Sequence, residues 1–208
     1  MAQVLERPQP ASLSEEARIV LPDSQALPRK LWTLEECRQL IAAGLLEEGG
    51  RYELLEGEII DKMTFNEPHI YVSSQVHRAL AAIFGFDYVR PAAPVALNRR
   101  NGPEPDAAVM VRPLRDYLQI GTPPPQDARL VVEVSDATLR TDLQVKSHLY
   151  ARAGIPEYWV VNVNARTLHV FHQPTADGYG SETVLGENQS VSPLAAPDST
   201  IAVADLLP

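Results

Sequence analysis

The sequence predicts an α/β protein of mixed type, with helices flanking a central sheet that holds both parallel and antiparallel strands. Three observations predict it. Two short runs, "LVVEV" at 130–134 and "YWVVNV" at 158–163, are dense in β-branched and aromatic residues, as central strands covered on both faces are. The segment between them has helical spacing from about 138 to 153 and stops at Gly154 and Pro156, so the two strands are joined by a crossover helix. Elsewhere apolar runs come in pairs around short polar turns, the pattern of antiparallel hairpins.

Taken in order, residues 1–30 carry Pro8, Pro10, Pro22 and Pro28 without sustained periodicity, and an N-terminal arm is expected there. Residues 31–208 are expected to form one domain, its core at about 33–172 and its C-terminal strands and tail at 173–208. "TLEECRQLIAAGLLEEGG" (33–50) predicts a helix. Thr33 and Glu36 have capping-box spacing, Gly49–Gly50 is the stop, and Leu34, Cys37, Leu40, Ile41 and Leu45 form an apolar stripe assigned to the core. "RYELLEGEIIDKM" predicts a hairpin turning at Glu56–Gly57. A second helix follows over 67–84 with Asn66 as N-cap. "APVALNRRNGPEPDAAVMV" reads as a second hairpin with Arg99 and Arg100 at its tip. A proline-rich loop at 112–128 leads to the strand 129–135 and the crossover helix. "EYWVVNVNARTLHVFHQ" is a third hairpin turning near Asn164–Ala165, and short strands are expected near 181–186 and 199–204.

A single cysteine, Cys37, excludes an internal disulfide framework and any multi-cysteine zinc site. No stretch is apolar and long enough to span a bilayer, so a cytoplasmic protein without membrane attachment is expected. The formal net charge of −9 argues against a broad basic footprint for nucleic acid.

One residue does not fit its strand. Glu133 interrupts the apolar run at 130–134, and alternation puts it on one face with Val131 and Ser135. An unpaired carboxylate is costly to bury, so it finds a partner, binds a cation or takes up a proton. Asp106 is a similar anomaly at the start of the apolar run "AAVMV". Two carboxylates on neighbouring strands suit Mg²⁺, which takes one or two carboxylates and keeps its waters. Lys146, on the helix after Glu133's strand, can orient water or neutralise developing charge.

The ordered set "RYELLEGEII", His69, "PD", "LVVEVSDAT", "D…K…YARAGIPEYWVV" and "LHVF" resembles the Uma-two-type restriction endonucleases, a branch of the PD-(D/E)XK nuclease superfamily. The resemblance spans roughly residues 33–172. It implies a restriction-endonuclease-like core, a divalent metal (Mg²⁺, with Mn²⁺ as substitute) and hydrolysis of phosphodiester bonds in DNA. Asp106 and Glu133 match the signature acids. Ser135 stands in the signature's lysine slot, which makes Lys146 the counterpart on the following helix. Catalytic roles fall to Asp106, Glu133 and Lys146. The metal would be held by Asp106, Glu133 and the Val134 carbonyl, with Glu53 as a further ligand. His69, Arg99 and Arg100 are the candidate phosphate contacts, and cutting both strands of a duplex would suit a homodimer.

Each residue also has a plainer explanation. Glu133 can pair structurally with Arg90 or Arg112, and Asp142 and Lys146 at i,i+4 can be an exposed helical pair. Glu53 can be solvated strand polarity, Arg99 and Arg100 a solvated tip, and Tyr150 and Trp159 packing residues. The alternative function is a nuclease-fold module that binds nucleic acid or protein without useful catalysis.

Overall fold

A computed structural model of the chain describes residues 29–47, 50, 52–62 and 66–208. Most of the expected N-terminal arm and the Gly49 helix stop lie outside the described residues. Residues Leu31–Pro208 cluster into one compact unit.

Helix α1 (Leu34–Ala42) starts at the expected capping box: Thr33 Oγ1 accepts the Glu36 N–H, and Glu36 Oε2 accepts the Thr33 N–H. It ends earlier than expected. Gly44 takes φ +69°, its N–H donates to Ile41 O, and the Leu45 N–H donates to Leu40 O. That pair of bonds closes the helix with a left-handed glycine, well before Gly49. None of its residues is fully buried, so its apolar stripe is a half-covered face and not core.

Strands β1 (Tyr52–Leu55) and β2 (Glu58–Asp61) form the expected hairpin, with Glu56 and Gly57 at φ 51° and 81°. Helix α2 (Glu67–Phe84) follows, capped by Asn66, whose side chain accepts the His69 N–H. Strands β3 (Val89–Pro91) and β4 (Ala107–Met110) pair antiparallel. The second hairpin therefore differs from expectation, because the partner of 107–110 is 89–91. Residues 95–103 fold back on themselves in a short turn held by Val95 N–H to Pro103 O and Leu97 N–H to Asn101 O. Pro103 and Pro105 lack the donors that would extend this turn into a ladder. A short helix, α3 (Tyr117–Ile120), lies in the proline-rich connection.

Strand β5 (Ala128–Ser135) pairs antiparallel with β4 and parallel with β6 (Glu157–Asn162), as the crossover requires. The crossover comprises α4 (Leu139–Thr141), a π turn (Asp142–Lys146) and α5 (Ser147–Arg152). Strand β7 (Thr167–Thr175) completes the third hairpin. Strand β8 (Gly178–Gly186) pairs along β7 and completes a six-stranded sheet, β3-β4-β5-β6-β7-β8, so the sheet extends past residue 172. Its sequence is half-exposed and glycine-containing, which hid its length. Strands β9 (Ser190–Val191) and β10 (Ile201–Ala202) form a small separate pair.

The central strands are covered on both faces. Val72, Val76 and Leu80 of α2 pack with Val132, Val134, Trp159 and Val161 on one side. Leu149, Tyr150 and Ile155 pack with Val131, Tyr158, Val160 and Phe171 on the other. Leu80 is fully buried, and truncating it to alanine would cost about 2–5 kcal/mol. Among the described residues, no helix is long and apolar enough to cross a membrane.

Candidate active site

The β4–β5 register aligns Ala107 with Val132 and Ala108 with Val131. Continued by one residue, that register sets Asp106 across from Glu133, on the face that carries Tyr150. Asp106 Oδ2 accepts the Val134 N–H at 2.7 Å, and Asp106 Oδ1 lies 3.0 Å from His69 Nε2. The Val134 N–H thus points to Asp106. His69 is delivered by the first turn of α2. Asn66, which caps that turn, also bonds Asp136 at the end of β5, and this ties helix to strand.

The crossover helix contributes the cation. Lys146 Nζ lies 3.0 Å from both Glu133 Oε1 and Glu53 Oε1, and 3.6 Å from Asp142 Oδ1. Asp142 and Lys146 are 1% and 5% exposed, so the i,i+4 pair is real but it is buried in the site and not a surface pair. Tyr150 OH donates to Glu133 Oε1 at 2.8 Å. Glu133 therefore pairs with neither Arg90 nor Arg112; Arg112 pairs with Asp127 instead. Glu53, brought in by the β1–β2 hairpin, is buried and also accepts the Glu104 N–H at 2.8 Å. Lys62 Nζ lies 3.6 Å from Glu53 Oε1 and donates to Glu104 O at 2.8 Å.

These groups line a cavity of about 340 Å³ that reaches from Glu53, Asp106 and Glu133 to Asp136, Asp142 and Lys146. Arg99 and Arg100 do not line it. Arg99 is exposed on the turn at 98–101, and Arg100 is half-buried. Asp142, Lys62, Thr138 and Tyr150 join the site unanticipated. Only Asp142 had a signal, as the acid of the "D…K" pattern at i,i+4 to Lys146, and nothing in the sequence distinguished a buried pair from an exposed one.

Burial pushes the Glu133 carboxyl well above its usual range; Lys146 opposes this, while Asp142, Asp106 and Glu53 reinforce it. For Lys146 burial lowers the ammonium, but Glu133, Glu53 and Asp142 together outweigh it and raise it. The Tyr150 phenol is also raised, by burial first and then by Glu133, so it stays a hydrogen-bond donor. Glu53, Asp106, Glu133 and Asp142 are four carboxylates facing two lysines, Lys62 and Lys146. Such an acidic excess in a buried cavity is relieved by a proton or by a further cation.

Among the described residues, no three His, Cys, Asp or Glu side chains stand together as a ready metal cluster. The donor set still fits a hard, oxygen-seeking cation that takes two carboxylates and retains water. The contacts above reach Glu133 through Oε1, so the requirement on that residue is a second carboxylate oxygen, and Asp106 stands across from it.

The fold is a six-stranded mixed sheet flanked by helices, with Asp106 just before β4, Glu133 within β5 and Lys146 on the crossover helix. The sequence model of the Uma2 family, described as "Putative restriction endonuclease", matches residues 34–204, and the chain belongs to that family. The fold is similar to a crystal structure described as that of a "putative nuclease belonging to DUF820" from Anabaena variabilis ATCC 29413. The TM-score is 0.64 at 16% identity, covering 84% of this chain and 96% of that one. No curated protein matches the chain.

Proposed function

We propose that the protein is a divalent-metal-dependent DNA endonuclease. The observation that carries this is Lys146, buried and held 3.0 Å from Glu53 and Glu133 in a cavity that Asp106 also lines. The descriptions of the family and of the similar Anabaena variabilis protein both name nuclease activity, and they support the same reading.

Asp106 and Glu133 would hold Mg²⁺ or Mn²⁺, with the Val134 carbonyl beside them. Glu53 would be a further ligand, and its contact with Lys146 at 3.0 Å also holds that lysine from the hairpin side. When bound, the cation supplies a more acidic water and neutralises charge on the phosphate. Lys146 orients the attacking water and offsets negative charge as the phosphorus–oxygen bond to the leaving strand breaks. Asp106 holds His69, at 3.0 Å, in the cavity lining, where it would serve as a phosphate contact. Arg99 and Arg100, outside the cavity, are left with phosphates flanking the cut, and a second copy of the chain would serve the opposite strand.

Nicking of supercoiled plasmid in Mg²⁺ and in Mn²⁺, run beside calorimetric titration with Mn²⁺, tests the proposal. Cleavage in either metal, with binding near one ion per chain, is expected. A second reading is favoured by Asp61 and Asp136 at the cavity wall and by the net charge of −9, both unfavourable to DNA. If neither binding nor cleavage occurs, a non-catalytic binding module replaces the enzyme.

A further inference from the structure

Asp142 has contacts that the proposed reaction does not account for. It is 1% exposed and lines the cavity. Its Oδ2 accepts two hydrogen bonds of 2.6 Å, from Ser135 Oγ at the end of β5 and from Thr138 Oγ1 just before α4. Its Oδ1 is buried without a hydrogen bond and faces Lys146 Nζ at 3.6 Å. A carboxylate that only balanced a surface lysine would be solvated and worth little. This one is clamped by two neutral donors, so it cannot rotate without breaking both.

The backbone reinforces the clamp. Asp142 opens the π turn, and its carbonyl accepts the Ser147 N–H five residues on and the Tyr158 OH at 3.1 Å. A π turn is an uncommon, wider loop of helix that recurs at functional sites. Here it spans Asp142 to Lys146, so the clamped acid and the lysine stand at its two ends. Of the three acids around Lys146, Glu133 is also needed for the cation. Asp142 is the one whose oxygen is held by two hydroxyl groups at once, and it keeps its direction when Glu133 turns to another task.

We infer that Asp142 is a positioning residue for Lys146, its carboxylate aimed by Ser135 and Thr138. The inference rests on Lys146 being the water-positioning group. Asp142→Asn keeps the shape and an oxygen for the two hydroxyls but removes the charge that faces Lys146.

The test compares wild type, Asp142→Asn, Lys146→Ala and the double variant in plasmid cleavage, with melting curves and Mn²⁺ titration. Asp142→Asn should lower kcat by about 10- to 100-fold, the range for groups that orient a catalytic side chain. KM should stay unchanged, and Mn²⁺ should still bind. The double variant should be no slower than Lys146→Ala, because an acid acting through the lysine has nothing left to position. Wild-type kcat in Asp142→Asn would overturn the inference, as would a loss that adds to that of Lys146→Ala.

A second readout does not depend on cleavage. The Lys146 ammonium ¹H–¹⁵N resonance, assigned by its absence in Lys146→Ala, should be sharp in wild type and shifted or broadened in Asp142→Asn. If wild type does not cleave DNA, the proposed function fails, and this resonance alone decides the inference: unchanged in Asp142→Asn, it overturns it. Should Asp142→Asn not fold, Thr138→Val removes one clamp and leaves the carboxylate. Unchanged kcat and resonance there overturn it equally.

Discussion

Glu133 and Glu157 stand on the neighbouring parallel strands β5 and β6. Both are buried, and their surroundings are opposite. Glu157 points to the Trp159 face and is satisfied by Trp159 Nε1 at 2.9 Å, His172 Nε2 at 3.1 Å and the Leu194 N–H at 2.8 Å. It does not line the site cavity, and its contacts pin the C-terminal segment to the sheet. Glu133 points to the other face, into a cavity, among three further carboxylates and a lysine that three acids share. Burial of an acid is common to both. What separates them is the surplus of charge and the open space in front of it, and those are the grounds on which the proposal gives the cation to Glu133 and not to Glu157.

The sharpest break between the two should appear in catalysis. Glu133→Gln and Asp106→Asn are each expected to lower plasmid cleavage by about 100-fold or more and to abolish Mn²⁺ binding, with the melting curve retained. Unchanged Mn²⁺ affinity in both variants would remove the metal site from this face. Next comes Lys146→Ala. It leaves Glu53, Glu133 and Asp142 facing one another in the cavity, and loss of one partner of a buried ion pair costs about 3–5 kcal/mol. Because a divalent ion can replace the missing charge, saturating Mn²⁺ should restore about 2.7 kcal/mol when present at 100 times its Kd. Denaturant melts with and without Mn²⁺ check this, and a variant as stable as wild type would show that the lysine is not held as described.

Glu157→Gln should act in the opposite sense. A loss of about 1–3 kcal/mol is expected from disturbing three buried hydrogen bonds, with cleavage by the folded protein unchanged. Lost activity in a stable Glu157→Gln would erase the contrast. The smallest effect concerns pH. The Glu133 carboxyl is raised in the metal-free protein, so it keeps its proton to higher pH than a free glutamate, whose ordinary value is 4.5. Native protein then binds more protons than unfolded chain, and stability falls as pH rises from there through the raised value. Metal binding requires the carboxylate and releases that proton, so Mn²⁺ affinity should rise with pH over the same interval. Calorimetry in two buffers of different protonation enthalpy reads the released proton directly, and no release would assign the ligand role elsewhere.

The sequence alone determined the parts that depend on local periodicity and local chemistry. The alternation of β5, the capping of α2 by Asn66 and the Glu56–Gly57 turn follow from residues within a few positions of one another, and the parallel β5–β6 pair follows from the helix that joins the two strands. Glu133 and Asp106 were legible because an acid inside an apolar run is anomalous wherever it lies. The early end of α1 was less so, since Gly44 and Gly49 offer the same local signal and the bonds at Leu40 and Ile41 chose between them. The partner of β4 was hidden as well: the nearer segment 95–103 looks like a strand, but Pro103 and Pro105 deny it a ladder, and Val89–Pro91 takes the place. Tertiary structure alone decided that Asp142 and Lys146 are buried, that Glu53 comes 93 residues along the chain to meet Lys146, and that Ser135 holds Asp142. Spacing of i,i+4 is the same on a solvated face and in a cavity. Only packing of the crossover helix against β5 and the first hairpin removes the water, and removing the water is what turns an ordinary ion pair into a site.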